Sequence, residues 1–462
     1  MQATDLLLSL IVLGLFSFYW SRGRSLALAN PLGGIRNLHS LPSYYGLHAA
    51  LWCTLPATFL LGIWLIFDEI VINGMVMTDL SPELIPSDNA SYNLILNKVA
   101  NIANGILPRE DQPSGLLDAA DNMLSLNVVS QWSITLLIIT LAMSGLAWSS
   151  HKLKVDFRAR PAVERVMQNL ILACACVAIF TTLGIVFSVL FESIQFFRSV
   201  PIYDFIFGLE WSPQTAIRED QVGSSGSFGA IPLFVGTLLV SAVAMFIAVP
   251  IGLMSAIYLA EYASDGVRTY AKPALEVLAG IPTVVYGFFA ALTVAPFLRD
   301  LGASVGLTIS SESALAAGGV MGIMIIPFIS SLADDVITAV PQSMRDGSLA
   351  MGATQSETIR KVVIPAALPG IVGGIMLAIS RAIGETMIVV MAAGLAAKLT
   401  ANPLESVTTV TVQIVTLLTG DQEFDSPKTL AAFALGLMLF TVTLLLNIFA
   451  LHIVKKYREQ YE

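Results

Sequence analysis

Long apolar runs separated by short polar stretches make up most of this chain. Nine runs stand near 3–20, 46–67, 130–148, 167–191, 233–260, 273–298, 314–332, 370–395 and 429–454. Each is long enough, or nearly so, to cross a bilayer as a helix, which takes about 20 residues. Composition agrees: 55% of residues are hydrophobic and 12% charged, against roughly 25% charged in soluble domains, and mean hydropathy is +0.77. The pattern predicts an all-α polytopic membrane protein. The first run follows "MQATD", without Lys or Arg, and precedes "WSRGR". That charge order is reversed for a secretory signal, so an uncleaved first span is expected. Cys53, Cys174 and Cys176 fall inside predicted helices, and His39, His48, His151 and His452 lack ligand spacing. Neither a disulfide nor metal chemistry is expected.

Charge then orients the spans. Basic residues cluster at 21–44 (Arg22, Arg24, Arg36), at 151–165 (Lys152, Lys154, Arg158, Arg160, Arg165) and at the end (Lys455, Lys456, Arg458). By the positive-inside rule these stretches are cytoplasmic. Residues 68–129 instead hold nine acids against Lys98 and Arg109, net −7, and are expected to form an extracytoplasmic loop. Nine spans, N-terminus outside and C-terminus inside, satisfy every assignment.

The basic linker near 150–166 divides an N-terminal three-helix extension, 1–165, from a six-helix core, 166–462. The second outer loop, 192–232, contains "EWSPQTAIREDQVGSSGSFG" and reads as irregular backbone with turns, either a connector or a docking surface for an external partner. On the inside, 333–369 is more organised than a connector. "QSMRDGSLAM" has small residues where a partner surface can approach. Gly352 permits a sharp bend. Thr354 and Glu357 have capping-box spacing, and Pro365 and Pro369 are expected to close the unit. An amphipathic helix resting on the bilayer is the bland alternative.

Here a resemblance becomes specific. "DGSLAMGAT…IPAALPG" resembles the coupling loop of type I ABC importer permeases, with Asp346, Gly347 and Ser348 where Glu-Ala-Ala is usual, then Gly352, Ala353, Pro365, Leu368 and Pro369. "KPALEVLAGIPTVVYGFF" and "SRAIGETMIVVMAAG" extend the likeness to phosphate-uptake (Pst) permeases of the PstC type. The likeness covers the core from about 166, with the type I region at about 231–454, and part of the first three helices. The resemblance implies a subunit that moves inorganic phosphate by alternating access and hydrolyses no ATP itself. It implies a bacterial inner-membrane location and four partners: a PstA-type permease, two PstB-type ATPases using ATP and Mg, and an extracytoplasmic phosphate-binding protein. In such permeases the coupling loop enters a groove on the ATPase. No phosphate-cradling ATPase motif is present, since Ala353 follows Gly352 where lysine is required. No nucleic-acid partner is expected; membrane lipid is.

One apolar run carries charge. In a continuous helix 370–395, Arg381 and Glu385 lie roughly 17 and 23 Å from its start, mid-membrane, on one face. Each charge costs on the order of 3 kcal/mol there, so the pair is either an internal lock or part of a pathway. A guanidinium suits phosphate oxygens, and a neighbouring carboxylate can accept a hydrogen bond from a protonated oxyanion such as phosphate but not from sulfate. Gly280 and Pro282 are expected to interrupt the helix 273–298, placing Thr283 and Tyr286 on the path or, equally, in a packing kink. A sulfate or molybdate permease, a secondary transporter working without an ATPase, and a subunit reporting phosphate status are the other functions open to these residues.

Overall fold

The computed structural model describes residues 3–32, 34–78, 89–109, 112–215, 225–419 and 426–458. Asp79, Glu83, Asp88, Glu110 and Asp111 of the acidic stretch lie outside them. Among the described residues nine helices are long and apolar enough to cross a membrane. The chain divides into two compact units, Met1–Phe180 and Thr181–Glu462.

The first unit is built on α1 (Ala3–Ala29), α2 (Pro42–Thr78) and α4 (Ser114–Lys152). Apolar residues recur every fourth position: Ala49, Cys53, Ala57 and Leu61 on α2 meet Ile134, Ile138, Ala142 and Leu146 on α4, with Leu6 and Leu10 of α1. That spacing lays one stripe on each helix. Small residues let the backbones close: a β-carbon on Gly145 would stand 2.0 Å from the Trp52 carbonyl oxygen. His48, buried, sits 2.7 Å from the Ser149 hydroxyl, one polar contact inside this seam.

The acidic stretch is not a loop over most of its described length. α2 has 37 residues and α4 has 39, about 55 and 58 Å at ~1.5 Å per residue, well beyond a ~30 Å hydrocarbon core. Their projecting ends hold α3 (Asn89–Ala103) through Ile72, Val76, Val99, Ile102, Leu116 and Ala120. Scattered acids disguised this cap: Asp68 and Glu69 on α2 and Asp118 and Asp121 on α4 are interspersed with its apolar positions. α5 (Ala159–Ser199) starts in this unit and ends in the next.

In the second unit, short α6 (Ile202–Phe207) leads to an antiparallel ribbon, β1 (Trp211–Thr215) and β2 (Ser225–Phe228), with Trp211 opposite Phe228. The expected irregular stretch is thus paired strand where it is described, and residues 216–224 of it lie outside the described residues. α7 (Ile231–Ile257) and α11 (Ala314–Thr338) form the centre of the core. Gly318 and Gly322 of α11 face the carbonyls of Val240 and Ala244, the small-residue packing that membrane helices use in place of a hydrophobic driving force.

Two expected spans are redrawn. The run 273–298 is α8 (Asp265–Ala279), a break at Gly280–Pro282, α9 (Thr283–Phe289), a π turn and α10 (Ala295–Ser304). The membrane-length helix is therefore Thr283–Ser304; α8, amphipathic with no buried residue, precedes it. The run 370–395 is not one helix either. α14 (Ile364–Ile383) stops at Gly384, and α15 (Met387–Ala392) follows. Extended chain then leads to α16 (Val410–Leu418) and α17 (Pro427–Arg458).

Candidate functional site

The break after Ile383 separates the two charges expected to pair. Among the described residues Arg381 and Glu385 form no ion pair. Glu385 Oε1 instead accepts from the backbone amides of Met387 at 3.1 Å and Ile388 at 3.5 Å, while its own carbonyl accepts from the Thr411 hydroxyl at 2.9 Å. The expected one-face pairing fails because it required unbroken helix. Once the helix ends, the free amides of α15 lie nearer the carboxylate than the guanidinium does.

Arg381 keeps its donors unspent. Its guanidinium stands 5.4 Å from the centre of the Phe328 ring, a cation–π contact. Among the described residues its side chain has no hydrogen-bond or ion-pair partner. It lines a cavity of about 280 Å³ together with Lys272 and Glu276 of α8 and Phe328, Ser330 and Asp334 of α11.

The other charges of this cavity escaped the sequence reading. Asp334 is buried, its side chain 3% exposed. It accepts from Arg268 at 3.0 Å and from Lys272 at 2.8 Å; Lys272 also reaches Asp335 at 3.3 Å. The hydrogen bond to Asp334 holds the Lys272 ammonium above its ordinary pKa, against a smaller opposing effect of burial, so it is charged at neutral pH. The available signal was an acid pair closing an apolar run, "SSLADDV", and two cations four apart, Arg268 and Lys272, on an amphipathic segment. Among the residues lining the cavity the cations Lys272 and Arg381 stand against the acids Glu276 and Asp334, and Lys272 and Asp334 are already paired with each other.

Thr283 and Tyr286 are not among the residues lining the cavity. Thr283 opens α9, half-buried. Tyr286 is buried and donates its hydroxyl to the Leu278 carbonyl at 2.8 Å, tying the end of α8 across the Gly280–Pro282 break.

The segment 333–369 forms a second constellation. α12 (Gln342–Ala350) carries Asp346, Gly347 and Ser348 and buries none of its residues. Gly352 turns the chain with φ +88°, a left-handed conformation that favours glycine. Ala353 leads to Thr354 and Glu357, which form the reciprocal capping box that opens α13 (Gln355–Thr358). Ser348 and Thr358 meet hydroxyl to hydroxyl at 2.9 Å. Pro365 and Pro369 do not close the unit. They lie within α14, and a π turn at Ile359–Val363 precedes them, a widening suited to a helix that is about to lose two amide donors. Leu368, between them, is half exposed.

Arg345, adjoining the small residues of α12, was also missed. It pairs with Glu261 Oε1 at 2.9 Å, donates to the Ile337 carbonyl at 2.8 Å and bonds the Val340 carbonyl as well. The side chains of Arg345 and Glu261 are 13% and 10% exposed. Gln355 donates to the Glu261 carbonyl at 2.8 Å. α12 is thereby pinned to the ends of the two central helices, while Leu349 and Met351, the latter 89% exposed, remain on its free side.

Residues 7–181 match the family profile described as phosphate ATP-binding cassette transporter, and 248–459 match binding-protein-dependent transport system inner membrane component. A probable ABC transporter permease protein, YqgH of Bacillus subtilis, is 32% identical over 63% of this chain and 91% of its own length. The phosphate transport system permease protein PstC 1 of Mycobacterium tuberculosis is 31% identical over 54% of this chain and 81% of its own. PstC of Mesorhizobium japonicum is 33% identical over 53% of this chain and 76% of its own.

Proposed function

The chain belongs to the PstC family of ABC-importer permeases, and from that membership we propose that it admits inorganic phosphate past Arg381 by alternating access. It is a multi-pass membrane subunit and not an enzyme. The observation that carries the reading is the guanidinium of Arg381, without an ion-pair partner among the described residues, in a cavity whose other cation, Lys272, is already engaged. Arg381 stands not at mid-membrane but in the last turn of α14, near the end of the span Gln355–Ile383, where a charge on a membrane helix is costly unless it faces a partner or a water-filled path. Its retention without a protein partner is accounted for by an anion that supplies one transiently. The donor fork suits a tetrahedral oxyanion. Glu385 contributes by holding the break that ends α14 two residues beyond Arg381, and Tyr286 by tying α9 to the end of α8.

Nucleotide energy enters from outside this chain. α12, with Asp346, Gly347 and Ser348, is the element we assign to a groove on a PstB-type ATPase, its exposed Leu349 and Met351 supplying the apolar contact. One such element per chain calls for a second permease, of PstA type, to serve an ATPase dimer that uses ATP and Mg. An extracytoplasmic phosphate-binding protein delivers the anion. The loop charges support an N-terminus outside and a C-terminus in the cytoplasm, with the three extra helices anchoring the assembly.

The deciding measurement is phosphate uptake by proteoliposomes holding the assembled importer, with binding protein and internal ATP. Arg381→Gln is expected to lower uptake at least about tenfold, the loss of one charge-assisted contact, at unchanged complex yield. Uptake at the parent rate would refute the role of Arg381. Uptake that proceeds without ATP would refute the ATPase-driven reading.

A further inference from the structure

The cavity beside Arg381 holds one acid with no partner. Glu276 lies one turn beyond Lys272 on α8, a spacing that puts both on one face, yet the lysine turns to Asp334 and Asp335. Among the described residues the Glu276 side chain makes no hydrogen bond or ion pair. Asp334 is saturated by Arg268 and Lys272, whereas Glu276 is free to accept. Ser330, 2% exposed, lines the same space, and its hydroxyl has no partner among the described residues. That hydroxyl opens onto the cavity and adds a neutral donor and acceptor to the polar groups lining it.

These groups are not equivalent toward different oxyanions. Arg381 and Lys272 attract any tetrahedral anion. A carboxylate at the same cavity repels an anion with no proton, since neither side can donate. It accepts a hydrogen bond from an anion that carries one. Phosphate near neutral pH bears a proton on oxygen; sulfate does not.

We infer that Lys272 and Glu276 complete the oxyanion seat begun by Arg381: Lys272 is its second cation, and Glu276 accepts a hydrogen bond from the protonated oxygen of the anion and so selects phosphate over sulfate. This rests on the reading of Arg381 above and adds a specificity residue to it. Lys272 is held by Asp334 until the anion arrives, and Arg268 keeps that carboxylate paired when the lysine is drawn away.

The test is made on the purified, assembled importer without binding protein, so that selection by another subunit does not intervene. Cys53, Cys174 and Cys176 are replaced by serine, and Ser331→Cys, on the cavity wall, serves as reporter. Its alkylation by N-ethylmaleimide is timed against rising phosphate or sulfate, and elution as one symmetrical complex is required of every variant. In the parent, phosphate is expected to protect at concentrations at least about tenfold below sulfate, the worth of one charge-assisted hydrogen bond. Glu276→Gln is expected to bring the two anions within about threefold of each other, and Glu276→Asp to retain the preference. Lys272→Gln is expected to weaken protection by both anions about tenfold while leaving their ratio. A parent that phosphate does not protect, or a Glu276→Gln variant with the parent's preference, overturns the inference. Arg381→Gln separates the two claims. Full protection in that variant refutes the underlying reading; lost protection there, beside an undiminished preference in Glu276→Gln, refutes this inference alone.

Discussion

Replacing Arg345 by alanine should be the most damaging single change in the segment assigned to the ATPase. The side chain sits between Glu261 and two carbonyls at the end of α11, and both members of the ion pair are nearly buried. Truncation leaves Glu261 without its counter-charge in a site poor in water and strips two carbonyls of a donor. Breaking a buried pair from one side costs about 3–5 kcal/mol, and the carbonyls about 1 kcal/mol each where water does not replace the guanidinium; the terms overlap, so about 3–5 kcal/mol in total is expected. Large membrane assemblies unfold irreversibly, so the observable is a rate. The half-life of the intact complex, followed by size-exclusion chromatography after heating at one fixed temperature, should fall by more than about tenfold. If the cost comes from the orphaned carboxylate, the double variant Arg345→Met with Glu261→Met should recover most of that half-life, because replacing a whole buried pair by apolar groups is close to neutral. ATP hydrolysis per phosphate transported should rise in both variants, since neither ties α12 to the central helices. A single variant as durable as the parent, or a double variant no better than the single, would refute the reasoning.

Further outcomes follow from the corrected geometry. Gly145→Val in the first unit places side-chain carbon against the Trp52 carbonyl, so α2 and α4 must move apart. Expression of assembled complex should fall sharply, whereas Gly62→Val, with open space around it, should change yield little. Glu385→Ala removes the acceptor that caps α15 and should shorten the thermal half-life by the equivalent of about 1 kcal/mol, while Glu385→Gln, which keeps a carbonyl oxygen, should cost only a few tenths. Equal losses would show that charge, not capping, is what the position supplies. The raised pKa of Lys272 gives a pH prediction with a definite sign. Its stabilising pair with Asp334 is fully present below the ordinary lysine pKa of about 10.4 and is lost only above the raised one. Complex half-life should therefore show no step attributable to Lys272 between pH 6 and 9, measured against Lys272→Gln over the same range.

The class of molecule was legible in the run lengths, because a bilayer demands about 20 apolar residues per crossing and little else tolerates so many. The capping box at Thr354 and Glu357 and the bend at Gly352 were legible too, since both depend on neighbours within a few positions. What escaped depended on distance along the chain. Asp334 could be seen as an acid closing an apolar run, but its partners are 66 and 62 residues away. Glu261 and Arg345 are 84 apart, and no local pattern joins them. The acidic stretch misled because charge density was read as loop, although Ile72, Val76, Met77, Leu116, Ala119 and Ala120 pack with Val99 and Ile102 of α3. Pro365 and Pro369 misled in the opposite direction: a π turn ahead of them kept the helix intact.

By itself the sequence determined that this is a helical membrane protein, with nine apolar runs long enough or nearly so to cross a bilayer and an arginine and a glutamate in one of them, because hydrophobic length, turn residues and the cost of a buried charge act locally. Only the tertiary structure decided what those charges do. Whether Arg381 meets Glu385 turned on a single helix ending at Ile383, and whether a cavity gathers Lys272, Glu276, Asp334 and Arg381 turned on how α8, α11 and α14 pack. Contacts between residues far apart in the chain are set by the competition among all pairings at once, and no window of sequence contains that competition.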